Sequence, residues 1–228
     1  PDDEPIDVTG PIVDIQKGTV SEGQTVELTD VIITGFDYFQ DKNQQYKPVS
    51  INGIFVSQKI GKALPYTGIY VKVDSTLYNN LEMLKKGMVV DVQGVVKEFF
   101  TRTQIEGPNE TGATITIKND GALSALPEPA VVDPASVATP FVQGTDGKWT
   151  PGKDHGPDAE KYESVLIRVN NVEITKKDVG FGQFEVSGNL AVNISTYTYP
   201  YADRVVGKKI ESITAPLNFA YSAFKINP

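Results

Sequence analysis

The sequence predicts an all-β protein of two consecutive five-stranded Greek-key barrels, the first carrying a capping helix. Three observations point there: short β-branched and aromatic runs cut at close intervals by Gly, Pro, Asn and Asp; one helical segment set among those runs; and a second half that repeats the strand pattern of the first. The 228 residues suffice for two self-contained cores. The expected partition is a flexible N-terminal tether over 1–10, a first domain over 11–125, a linker over 126–140 and a second domain over 141–228.

In the first half, strands are expected near Val8 to Ile15, Thr25 to Thr34, Gly53 to Gln58, Gly68 to Val73, Met88 to Lys97, Thr103 to Ile105 and Thr114 to Lys118. Between the fourth and fifth of these, Leu77, Leu81 and Leu84 recur at the spacing of one helix face. Ser75 can cap a helix there, Lys85 and Lys86 suit its last turn, and Gly87 offers a left-handed stop. A lone helix after the third strand of a five-stranded barrel, with two strands following, is the chain order of an oligonucleotide/oligosaccharide-binding (OB) barrel. The stretch from Leu126 to Pro140 holds four prolines, which marks a boundary; Asp133 and Pro134 within it can start a short helical turn.

Past the boundary the unit recurs. Val26 to Thr34 aligns without gaps to Ile167 to Thr175, Gly53 to Phe55 is echoed by Gly182 to Phe184, and Gly68 to Val71 by Gly188 to Ala191. Gly87 corresponds to Gly207, and the unit closes with Phe100 to Ile105 against Tyr221 to Ile226. In the second copy the helix shrinks to a loop over Tyr197 to Val206.

These segments carry a resemblance. The run Val26 to Thr34, Gly68-Ile-Tyr-Val71, Gly87 to Gly94, Glu98 to Ile105, then Glu160 to Val169 and Phe224 to Pro228 resemble the paired OB-type modules of secreted bacterial nucleases, nucleotidases and surface lipoproteins. The resemblance implies accessory binding or spacing outside the cytoplasm; the catalytic domain that accompanies such modules is not in this sequence. The acidic, Pro-rich start from Pro1 to Pro5 reads as a tether. A processed terminus, a tether behind a lipidated cysteine that anchors the protein, and an excised segment are all compatible with it.

Composition narrows the chemistry. A net charge of −8 works against non-specific attraction to a phosphate backbone, and no apolar run approaches the length of a membrane span. Zero cysteines exclude disulfides, thiolate metal sites and cysteine nucleophiles. The single histidine, His155, lies near Asp146, Asp154, Asp158 and Glu160, whose spacing matches no calcium loop and reads as a solvated insertion. No glycine-rich phosphate loop occurs; Gly180-Phe181-Gly182 reads as a hairpin turn. The chain is therefore expected to be no enzyme and to need no cofactor or metal.

OB barrels take ligands across the face of their second and third strands and the flanking loops, using aromatic stacking and a nearby cation. Candidate ligand residues are Tyr66, Tyr70, Phe100 and Arg102 in the first half, and Tyr197, Tyr199, Tyr201 and Arg204 in the second. Each has a competing reading as core or inter-domain packing, and Trp149 can either dock on a barrel or meet a partner. The expected function is a non-catalytic, extracytoplasmic interaction or structural module contacting a protein or envelope polymer. The alternative is an OB-type binder of single-stranded nucleic acid or of an oligosaccharide.

Overall fold

The computed structural model describes residues 9–41, 47–193 and 199–228. It is predominantly β and contains two six-stranded sheets and a two-stranded hairpin. The chain opens with α1 (Pro11–Gln16), followed by β1 (Thr25–Asp41), β2 (Lys47–Ser57), β3 (Gly68–Lys72), β4 (Val89–Phe99), β5 (Arg102–Glu106) and β6 (Thr114–Ile117). Then come β7 (Ala130–Val131), α2 (Pro134–Val137), the hairpin β8 (Phe141–Gln143) and β9 (Trp149–Pro151), and β10 (Leu166–Gly180). The last strands are β11 (Gln183–Val186), β12 (Leu190–Val192), β13 (Lys209–Ala220) and β14 (Ala223–Ile226).

In the first sheet the order β1-β2-β3-β5-β4 closes on itself through a β1–β4 pairing, and β6 adds outside β4. In the second, β10-β11-β12-β14-β13 closes through β13–β10, and β7 adds outside β10. Both five-membered rings contain one parallel contact, β3 with β5 and β12 with β14, between otherwise antiparallel neighbours. Alternation along each strand fills the rings. Leu28, Ile54, Val56, Ile69, Val71 and Ile105 face one core; Ile167, Phe184, Val186, Leu190, Val192 and Ile226 face the other.

The repeat extends to individual backbone angles. Asp30 and Asn171 both bend their first strand with φ near +50° (53° and 52°), and Gly87 and Gly207 sit at 90° and 89°. Each of these glycines donates its N–H to a matching carbonyl, Ile33 and Ile174. Phe100-Thr101 and Tyr221-Ser222 occupy the same left-handed pair of turn positions. The pairing register shifts two of the sequence alignments by one residue. Phe55 opposes Tyr70 where Glu185 opposes Ala191, and Tyr70 pairs with Gln104 where Ala191 pairs with Lys225. Tyr70 is thus equivalent to Ala191, and Phe55 to Glu185.

Two expected elements are different. The strand expected near Val8 to Ile15 is the helix α1 over its described part, with Pro11 at the first helical position and Ile12, Val13 and Ile15 buried. Proline presets the helical φ there, and three apolar residues in one short turn fit a helix face as well as a strand. The capping helix expected over Ser75 to Lys86 does not form. Asp74 accepts from the Thr76 N–H at 2.9 Å and from its hydroxyl at 2.6 Å, and Asn80 accepts from Glu82 N–H at 3.0 Å. These local bonds break the segment into successive turns. Leu84 still reaches the core, whereas Leu77 is 65% exposed. The helices that pack on the rings precede them: α1 lies against β3, and α2 against the equivalent β12.

Residues 126–140, read from the sequence as a linker, build into the second ring's surroundings. Ala130 and Val131 pair with Ile167 and Arg168, and Val137 and Ala138 lie in the second core. Asp133 caps α2 by accepting from Ala135 N–H at 2.9 Å, as its sequence indicates. No helix among the described residues is long and apolar enough to cross a membrane.

Candidate functional site

Because side chains alternate along a strand, every ring strand also presents an outer face. On the first ring that face is Phe55 on β2, Tyr70 on β3, and Arg102, Gln104 and Glu106 on β5, and all five are buried. The second ring meets this face at Arg102 and, next to it, at Gly68 and Gly35. The Arg102 guanidinium lies 3.6 Å from the Tyr70 ring centre. It donates to Gln104 Oε1 at 2.8 Å, to Asn218 Oδ1 at 3.3 Å and to the Phe219 carbonyl at 3.4 Å. Gln104 passes the chain on to Glu106 at 2.9 Å. A carbonyl of the second ring at Ser164 comes so close to Gly68 that a Cβ there would clash with it, and a Cβ on Gly35 would lie 2.6 Å from Pro216 Cγ. Glycine is required at both contacts.

Glu163 completes this junction. Its Oε1 accepts from Thr103 N–H at 3.1 Å, while its Oε2 is buried without a partner. Burial, reinforced by Glu160, pushes its carboxyl up to about 8.

The corresponding outer face of the second ring carries Gln183, Glu185, Ala191, Ala223, Lys225 and Asn227. The β8–β9 hairpin covers part of it, where Phe141 and Trp149 pack on Val179, Ala191 and Ala223. Glu185 is held there by Lys176 at 2.6 Å and by Thr175 at 2.9 Å, and Lys176 Nζ lies 4.4 Å from the Trp149 ring centre. The remainder opens into a cleft of about 790 Å³ between the second ring and the β1–β2 hairpin of the first.

The floor of that cleft is polar and its rim aromatic. Gln183, Asn193, Asn218, Lys225 and Asn227 line it from the second ring, Asp37 and Asn52 from the first. Asn227 Nδ2 donates to the Phe36 carbonyl at 2.7 Å, and Asp37 Oδ2 accepts from Tyr70 Oη at 3.0 Å and from Asn52 Nδ2 at 3.1 Å. Burial pulls the Lys225 ammonium down to about 8, against the opposing influence of Asp37. Gln183 Oε1 is buried without a partner. At the rim, Phe39 is 61% exposed, Phe181 68% and Tyr221 90%. Phe181 and Tyr221 each stand at the first position of a two-residue hairpin turn, in the left-handed region with φ of 53°. Bulky side chains rarely accept that conformation, which costs about 1 kcal/mol.

The residues singled out from the sequence are dispersed. Tyr70 and Arg102 meet, but inside the junction. Tyr66 lies at its edge, its N–H bonded to the Lys161 carbonyl at 2.7 Å, and Phe100 is an exposed tip of the β4–β5 turn. Tyr197 lies outside the described residues. Tyr199 stacks on Phe184, and Arg204, fully buried, donates to the carbonyls of Tyr199 and Gly182, so both hold the loop to the ring. Tyr201 lies in a helical turn after Pro200, with Lys177 Nζ 4.4 Å from its ring centre. His155 bonds Thr139 and packs edgewise on Phe219 and Phe224, while Asp146 pairs with Lys148 and Asp158 with Lys161. Among the described residues these acids gather into no cation site.

Sequence reading passed over Asp37, Phe39, Gln183, Tyr221 and Lys225. Two signals for them exist: Tyr221 aligns with Phe100 at a hairpin tip, and β14 alternates Phe224 and Ile226 with Lys225 and Asn227. No protein-family model matches the chain, and neither a search of curated proteins nor one of solved structures finds a match.

Proposed function

We propose that the chain is a tandem OB-type binding module, non-catalytic and placed outside the cytoplasm, whose inter-ring cleft takes a saccharide segment of an envelope polymer. The OB assignment is supported by the ring order 1-2-3-5-4 with its single parallel contact, found twice. It holds for strands only, since the helix of each unit precedes its ring. Placement outside the cytoplasm is supported by the family resemblance, and a cysteine-free sequence accords with it. The non-catalytic reading is supported by the lone imidazole, which is engaged in packing.

One observation carries the ligand reading: a cleft whose floor is carboxamides and whose rim is aromatic rings. Amides match the paired donors and acceptors of sugar hydroxyls, and ring faces match the apolar C–H faces of pyranoses. Within the second ring's share of the cleft, Gln183 on the second strand and the hairpin tips at Phe181 and Tyr221 belong to the region through which OB barrels bind ligands, while Asn218 and Lys225 come from the fourth and fifth strands. Nucleic acid fits less well, because the cleft sets one ammonium, Lys225, beside Asp37 in a chain of net charge −8.

Trp149 is the only tryptophan and lines the cleft, so its fluorescence reports occupancy. Titration with a panel of neutral and acidic oligosaccharides is expected to shift that emission for at least one member. Single-stranded oligonucleotides are expected to leave it unchanged at low and high salt. Salt-sensitive oligonucleotide binding, or no response to any saccharide, overturns the reading.

A further inference from the structure

The cleft floor contains a charge without a counter-charge in contact. Lys225 is 2% exposed, yet among the described residues its Nζ makes no hydrogen bond or ion pair; it lies 5.5 Å from the Tyr221 ring centre. Asp37 is the acid closest in influence, but its Oδ2 is taken up by Tyr70 and Asn52. Of the other charges nearby, Glu185 is held by Lys176 and Thr175, Arg102 on the first ring's face by Gln104, Asn218 and the Phe219 carbonyl, and Asp41 lines the cleft from β1. The stem of Lys225 is buried while its residue lines the cleft, so an anionic group entering there can form the charge-assisted bond that the ammonium lacks among the described residues. Elsewhere in the same cleft, on β11, Gln183 Oε1 is a buried acceptor without a donor, which a hydroxyl group can supply. The two groups together match a ligand that carries one negative group and, further along, a hydroxyl.

Resting on the saccharide reading above, we propose that the ligand is an oligosaccharide carrying one uronic acid among neutral sugars, whose carboxylate pairs with Lys225 and one of whose hydroxyls donates to Gln183. A monoanion suits the site better than a phosphate, whose second charge would stand beside Asp37. The aromatic rim then takes the flanking pyranose rings, and the charge at the floor sets the register of the chain in the cleft.

The test compares two probes of one backbone, a neutral oligosaccharide bearing a single uronic acid and the methyl ester of that acid, by Trp149 emission and by calorimetry. The acid form is expected to bind about tenfold more tightly than the ester, the scale of one charge-assisted pairing. In Lys225→Met that preference collapses, the two forms binding within about twofold, and Lys225→Arg recovers part of it. Equal binding of acid and ester by the wild-type protein overturns this proposal and leaves the saccharide reading standing, as does binding confined to neutral oligosaccharides. No response to any saccharide overturns both. Removing a buried ammonium is expected to keep or raise thermal stability, and should a Lys225 variant fail to fold, the wild-type comparison of the two probes still decides.

Discussion

The outer faces of the two rings use equivalent strands and have opposite fates. Phe55, Tyr70, Arg102, Gln104 and Glu106 of the first correspond to Glu185, Ala191, Ala223, Lys225 and Asn227 of the second. Where the first has two aromatic rings and a forked guanidinium, the neighbouring ring docks and water is excluded. Where the second has two alanines, a small hairpin fills in behind them and leaves polar ends facing a cleft. The same scaffold becomes an internal joint or a receptive surface according to the size of a few outward side chains. A packed joint also gives the cleft its far wall, since the β1–β2 hairpin is held over the second ring by it.

Breaking the joint should have the largest effect. Arg102→Ala removes a buried cation from Tyr70 and leaves Gln104, Asn218 and the Phe219 carbonyl unsatisfied, so a loss of about 3–4 kcal/mol is expected in urea denaturation. Gly68→Ala drives a Cβ into the Ser164 carbonyl; about 2–3 kcal/mol should be lost, and small-angle scattering should show the two rings moving apart. An unchanged radius of gyration would contradict the account of that contact.

Glu163 sharpens the comparison through pH. Its folded value of about 8 lies above its ordinary 4.5, so the folded joint keeps a proton that the unfolded chain has lost between those limits. Stability from this group is full below pH 4.5, falls as pH rises and is lost by about 8. Glu163→Gln should flatten that slope and stabilise the protein at pH 8 by about 2 kcal/mol, roughly 5 °C in thermal melts. The smallest effect concerns the equivalent hairpin tips. Tyr221→Asn and Phe100→Asn both relieve a left-handed bulky residue and should each stabilise by about 0.5–1 kcal/mol. Only the former should weaken ligand binding.

The rings were legible because β-branched runs, turn residues and the recurrence of Val26 to Thr34 at Ile167 to Thr175 are local signals. The helices were not. Leucine spacing over residues 77–84 fits a helix, but Asp74 and Asn80 bond their own backbone and win locally, while Pro11 starts a helix in a run that reads equally well as a strand. The site was harder still. Arg102 and Tyr70 have the residue types of a ligand face, and only the position of the second ring shows that they are consumed in the joint. Lys225 and Gln183 carry no motif. Their meaning depends on which partners they lack, which no spacing rule reports.

Hydroxyl-radical footprinting with and without a bound oligosaccharide tests most directly which outer face receives a ligand. Without ligand, Tyr70 should be protected and Phe181, Tyr221 and Phe100 reactive. The ligand should then protect Trp149, Phe181 and Tyr221 while Phe100 stays reactive. Protection centred on Phe100, or at no cleft residue despite binding, would contradict the assignment of the second ring's face as the binding surface.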